Sequence, residues 1–183
     1  MTGRRSPFLP LFILLFALSA FRVESNTPPA SALSGTVTWV YDGDTLHVEP
    51  HGKVRLIGID SPEHKTSPER DRKFLRLGAD PRGLRFAARQ ALAFNIREAK
   101  GEKVLLLLEG ERRDRYGRLL AYLELPDGRL LNHLLLEQGL AVVYRRFEFS
   151  MKEDFLAVEA AARKSGRGLW SGLSKTGSGA GNN

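Results

Sequence analysis

Asp42, Asp44, Asp60 and Glu63 sit at the two ends of a strand-rich stretch, Thr36 to Glu63, that also carries Arg55 within an otherwise apolar run, residues 54–59. Two carboxylates with a nearby carbonyl and water make a hard-oxygen site suited to a cation such as Ca²⁺. A further carboxylate held beside such a site can take a proton from water. An arginine can grip phosphate through two parallel N–H groups. Plainer readings stand beside these. Asp42-Gly43-Asp44 is ordinary turn sequence, a lone glutamate such as Glu63 usually faces water, and Arg55 could be an edge arginine or the partner of a structural acid. A second basic cluster, Arg112 to Tyr122, places Arg118 at the start of a strand after a Tyr116-Gly117 turn. Its plain reading is a solvated hairpin tip.

For these acids to cooperate, secondary structure must bring them together. Asp42-Gly43 reads as a two-residue hairpin turn between strands over residues 35–41 and 45–49, and residues 54–59 read as a third strand. In a three-stranded meander Asp44, opening the second strand, and Asp60, closing the third, lie at the same end. Residues 103–109 and 118–125 add two strands. A helix is predicted from Asp80 as cap and Pro81 as first residue to about Glu98, with Leu84, Ala88, Ala91 and Leu92 on one face and Arg82, Arg85 and Arg89 on another. A second runs from Leu130 to Gln138 and stops at Gly139. A third opens on a Ser150/Glu153 capping box, buries Met151, Phe155, Val158 and Ala162, and ends near Gly166. This order predicts an α+β, mostly β, fold: a five-stranded Greek-key OB-fold barrel with three helices.

The 183 residues suffice for one domain, and the net charge of +7 favours an anionic partner: nucleic acid, an acidic membrane surface or an acidic polymer. Absence of cysteine excludes disulfides and thiolate metal sites. Arg4 and Arg5 precede an uncharged apolar run, Phe8 to Phe21, that is short for a membrane span and fits the core of an export signal. Residues 1–26 are thus expected to be a signal peptide, with an uncleaved anchor through residues 8–21 as the alternative. Residues 27–33 read as a linker, 34–173 as the domain, and 174–183 as a Gly/Ser-rich tail. The protein is expected to be exported, extracellular or periplasmic.

Five motifs, "YDGDT", "RLIGIDSPE", "DRYGRLLAYL", "LNHLLLEQGLA" and "GLW", occur in this order between Gly35 and Ser171. Together they resemble the thermonuclease family, the staphylococcal-nuclease-like domains. The resemblance implies a Ca²⁺-dependent phosphodiesterase acting on DNA and RNA, leaving 3′-phosphate ends, with no protein partner and a monomeric state. It implies Asp44 and Asp60 as metal carboxylates and Ser61 as a carbonyl donor to the metal. Glu63 is implied as general base, Arg55 and Arg118 as phosphate-binding arginines, and Asp42 and Thr45 as residues shaping the metal loop. Tyr116 and Tyr144 are implied as nucleotide-stacking rings. Two stretches depart from the family pattern. Residues 64–80 form a longer, basic loop with Lys65, Arg70, Arg72, Lys73 and Arg76, and Arg145 and Phe147 stand where family tyrosines are expected. The competing reading from the residues is a nucleic-acid-binding OB module without turnover.

Overall fold

The computed structural model describes residues 31–110 and 113–171. The apolar run at 8–21, most of the linker, Arg112 and the tail lie outside the described residues. Strands β1 (Ala32–Val40), β2 (Thr45–Glu49), β3 (Gly52–Leu56), β5 (Lys103–Leu107) and β6 (Leu119–Glu124) close a barrel in the order β1-β2-β3-β6-β5. All neighbours are antiparallel except β3 and β6, which run parallel and close the Greek key. The expected five-stranded barrel is therefore present. Its first strand already begins at Ala32, inside the stretch read as linker, where Ala32 and Leu33 pair with Leu107 and Leu106.

Alternation builds the core. Leu46 and Val48 of β2, Val54 and Leu56 of β3, Val104 and Leu106 of β5 and Ala121 and Leu123 of β6 all turn inward and are buried. Their intervening neighbours face outward. On β1 the alternation is reset by a bulge between Val37 and Trp39: Val37 pairs with Val48, but Trp39, two residues on, pairs with the adjacent His47.

Three elements differ from the sequence expectation. The apolar run at 54–59 is not one strand. Gly58, at φ +77°, breaks it, and Ile59–Asp60 becomes a separate short strand, β4, paired with β7 (Val142–Val143). The turn between β1 and β2 spans the four residues 41–44, with the Tyr41 and Asp42 amides both donating to Thr45 O. The basic segment 64–80 contains a helix, α1 (Pro68–Arg76), which raises the helix count among the described residues from three to four.

The other helices are α2 (Leu84–Ala99), α3 (Leu131–Glu137) and α4 (Lys152–Lys164). Asp80 caps the turn before α2, accepting from Arg82 N, and not α2 itself, which starts after Gly83. The Ser150/Glu153 capping box does not form. The Ser150 amide and hydroxyl both donate to the Glu109 carboxylate instead, and Met151 occupies the cap position. Asn132 of α3, fully buried, accepts from Leu123 N and donates to Ile57 O, tying β6 to the chain leaving β3. A second apolar cluster joins Phe74 of α1, Leu84 and Ala87 of α2, Ala162 of α4, and Leu169 and Trp170 of a C-terminal 3₁₀ turn. Phe74 thereby anchors an otherwise polar helix beside the barrel. Among the described residues no helix is long and apolar enough to cross a membrane.

Candidate active site

The turn at 41–44 and the loop after β4 meet at Gly43. A Cβ on this residue would fall 2.0 Å from Ser61 Oγ and 2.7 Å from Ala91 Cβ, so only glycine permits the approach. The turn is braced from within and from behind: Asp42 Oδ1 accepts from Asp44 N at 2.9 Å, and Asn95 of α2 donates to Asp42 O. Ser61 N in turn donates to Asp44 Oδ2 at 2.9 Å, and Ser61 Oγ donates to Leu140 O. Asp44, Asp60, Thr45 and Ser61 are all buried.

Arg55, on the outer face of β3, joins the two acids. Its Nη2 lies 3.2 Å from Asp44 Oδ2 and 3.3 Å from Asp60 Oδ1, while Nη1 donates to Leu56 O. Thr45, paired with Arg55 across β2 and β3, donates to Asp44 Oδ1 and accepts from Arg118 Nη1 at 3.3 Å. Arg118 is held by Asp114, whose Oδ2 accepts from Nε at 2.8 Å and lies 2.7 Å from Nη2. Asp44, Asp60, Ser61, Arg55 and Arg118 are thus one connected set. Glu63 stands at its rim, with its carboxylate on Arg70 of α1. Tyr116, 67 % exposed, lies with its ring 5.5 Å from the Arg118 guanidinium. Tyr144 belongs to the segment that pairs with β4. It follows β7, its amide donates to Gly58 O, and its ring packs on Phe147. Arg145 is committed to the buried Glu159 of α4.

The local charge is unbalanced. Burial pushes the Asp42 carboxyl up to about 6, and the neighbouring Asp44 charge adds to this. Burial also raises the Asp60 carboxyl, with Arg55 and Lys73 opposing and Asp44 reinforcing. Arg55 lowers both carboxyls, and a cation bound beside them would act in the same direction.

A sequence model of the family described as "Staphylococcal nuclease homologue" matches residues 53–172. The chain belongs to this family. It is 36 % identical over 148 residues to a protein of Methanocaldococcus jannaschii called MJ1439, covering 74 % of this chain and 70 % of that one. It is 30 % identical over 161 residues to the thermonuclease of Staphylococcus hyicus, covering 82 % and 87 %. Endonuclease YhcR of Bacillus subtilis is 31 % identical over 156 residues, 80 % of this chain but 12 % of that much longer protein.

The donor set of this family member fits a hard cation. Asp44 and Asp60 offer carboxylate oxygens within one guanidinium's reach, and Ser61 adds a backbone carbonyl between β4 and Pro62. Asp42 is turned to the Asp44 amide, so it shapes the turn. Among the described residues no three His, Cys, Asp or Glu side chains group as a metal cage. Two carboxylates with a carbonyl and water make a hard-oxygen set.

Three residues that the sequence reading named have partners in this neighbourhood that it did not foresee. Lys73 of α1 is on Asp60 Oδ2, and Arg70, one turn earlier, is on Glu63. Arg85 of α2, expected on the face with Arg82 and Arg89, donates to Glu63 O, Lys65 O and Asp71 Oδ1. Ser67-Pro68, the acids Glu69 and Asp71 in the first turn and the bases Lys73 and Arg76 in the last were the signals for α1. A cavity of about 500 Å³ between α2 and α3 is lined by none of the candidate site residues.

Proposed function

We propose that the protein is a Ca²⁺-dependent, sugar-nonspecific nuclease that hydrolyses phosphodiester bonds of DNA and RNA and leaves 3′-phosphate ends. The observation that carries this reading is the convergence of Asp44 and Asp60 on Arg55 Nη2, with Arg118 joined to the same group through Thr45. Relatives named thermonuclease and endonuclease support it.

Asp44, Asp60 and the Ser61 carbonyl would hold Ca²⁺. Bound there, the ion would supply Lewis-acid polarisation of a phosphoryl oxygen and orient water. Glu63 takes a proton from the attacking water as the water oxygen adds to phosphorus, and the bond to the 5′ oxygen breaks, that oxygen leaving as a hydroxyl with a proton from solvent. The Arg70 contact does not prevent this, because a pair whose side chains are 63 % and 37 % exposed is weak and exchangeable. Arg55 and Arg118 donate N–H groups to the equatorial oxygens, where charge grows in the transition state. Their geometry is set in advance by Leu56 O and by Asp114, so little reorganisation is required.

Export fits the same reading, with the apolar run at 8–21 as its signal and a retained anchor as the alternative outcome. N-terminal sequencing of exported protein distinguishes a start between Ser19 and Ser31 from one at Met1. For the activity, purified full-length protein is incubated with plasmid DNA, single-stranded DNA and RNA, in Ca²⁺ and in chelator. Cleavage of all three only with Ca²⁺ is expected. Tight binding with no turnover in Ca²⁺ would establish the non-catalytic OB module instead.

A further inference from the structure

The bulge in β1 has a consequence on the outside of the barrel. Without it, Trp39 would share the inward face with Val37. The extra residue turns the indole out, where it is 55 % exposed, and returns Val40 to the core. Across the sheet Trp39 pairs with His47 and His47 with Lys53, so an outward row runs Trp39-His47-Lys53 over β1, β2 and β3. The adjoining row of the same face is Thr45 with Arg55, part of the candidate active site. The two rows are separated by two residues along the strand, roughly 7 Å.

Aromatic and cationic groups alternate over this surface. Lys53 Nζ lies 4.7 Å from the Tyr41 ring centre and Lys100 Nζ 5.1 Å from that of Trp39. Tyr41, 39 % exposed, contacts His47 through its hydroxyl and immediately precedes Asp42. A shallow groove of about 120 Å³ opens beside the indole, lined by Trp39, Val40, Leu92, Ile96 and Lys100. Glu49, one row farther from the active site, is the acid that bounds the patch on β2.

We propose that this face is a track for single-stranded nucleic acid, holding the strand that leads into the active site. Trp39 and Tyr41 stack on bases, and Lys53 and Lys100 meet phosphates. Stacking rings interleaved with cations are what a flexible polyanion with exposed bases needs. A duplex would hide its base faces, and an apolar partner would not match the lysines. The track rests on the nuclease reading only in its direction toward the site; its binding is separable from turnover.

The chain has two tryptophans, and Trp170 is fully buried, so fluorescence changes on binding report Trp39. Full-length protein is titrated with a twelve-residue oligothymidylate in chelator, where no cleavage occurs. Saturable quenching is expected. Trp39→Ala should weaken binding of the labelled oligonucleotide by about fivefold or more, the lower end of one base's stacking. Lys53→Ala and Lys100→Ala should each flatten the salt dependence. Ca²⁺ added to the wild-type complex should then cleave the oligonucleotide. Unquenched fluorescence with unchanged affinity in Trp39→Ala would overturn the track. Equal quenching by a duplex of the same length would overturn stacking, and quenching on raising protein concentration alone would assign the face to a second copy. Failure of the wild type to cleave the oligonucleotide in Ca²⁺ would count against the nuclease reading, and the quenching result would stand apart from it.

Discussion

Gly43 and Ser61 touch at a distance that leaves no room for a methyl group. The contact presses the turn carrying Asp44 against the loop carrying Asp60, and the Ser61 amide then bonds Asp44 directly. Gly43→Ala should therefore separate the two carboxylates. Overpacking at such a site costs about 1–3 kcal/mol. Ca²⁺ binding measured by calorimetry should weaken more than thermal stability falls, since the strain is relieved by moving the turn. Unchanged Ca²⁺ affinity in a folded Gly43→Ala protein would show that the close approach does not assemble the site.

Glu63→Gln keeps the side chain's shape and removes its proton acceptor. Turnover should fall by roughly a hundredfold or more, the scale of general-base loss. DNA affinity in chelator should hold or rise slightly, because a negative charge near phosphate is gone. Steady-state rates alongside a binding titration check both halves. Wild-type turnover in the variant would assign Glu63 to the surface role of an ordinary exposed glutamate.

Arg118 is oriented by Asp114, and this pair gives a pH signature. Although burial opposes it, bonds from the Arg118 side chain and from the Arg118 and Tyr116 amides hold the Asp114 carboxyl below its usual value of 3.8. A depressed carboxylate stabilises the fold above its unfolded pKa and loses that contribution as pH falls through the folded one. The pair is partly exposed, so Asp114→Asn should cost about 1 kcal/mol or less at neutral pH. Denaturant titrations should show this difference closing below pH 4. Activity should drop much further than stability, because the freed guanidinium loses its aim. Arg118→Lys should also cost about a hundredfold in turnover, since it keeps charge and loses the fork.

The carboxylate and arginine positions were legible in the sequence because each is fixed locally: Asp44 by the turn it closes, Asp60 and Glu63 by their spacing around Pro62. The barrel was legible because its strands alternate. Where Gly58 breaks an apolar run, alternation alone showed no break, and β4 was read as the end of the third strand. Helix α1 was missed because its sequence is almost wholly polar, with only Asp71 and Phe74 buried. Its anchor is a cluster supplied by α2, α4 and the C-terminal turn. The partners of Arg85 were missed for a related reason. Helical periodicity puts it on the polar face, but its partners are carbonyls some twenty residues away, which no periodicity reveals.

Those partners lead to the last prediction. Arg85 joins α2 to the Glu63 carbonyl, the Lys65 carbonyl and the Asp71 carboxylate at once. Asp71 is buried, and this guanidinium is its ion-pair partner. Arg85 touches no reacting atom, and its effect would pass through the backbone that aims Glu63. Arg85→Ala should thus lower kcat by about tenfold or more while KM changes little, because DNA is still met by Arg55, Arg118 and the surrounding cations. It should also destabilise the fold by about 3 kcal/mol or more, the cost of leaving a buried carboxylate unpaired. Asp71→Asn separates the two effects. Combined with Arg85→Ala it removes the stranded charge and should recover much of the stability, but not kcat, since the carbonyls of Glu63 and Lys65 remain unheld. Recovery of kcat together with stability in the double variant would reduce Arg85 to a structural partner of Asp71.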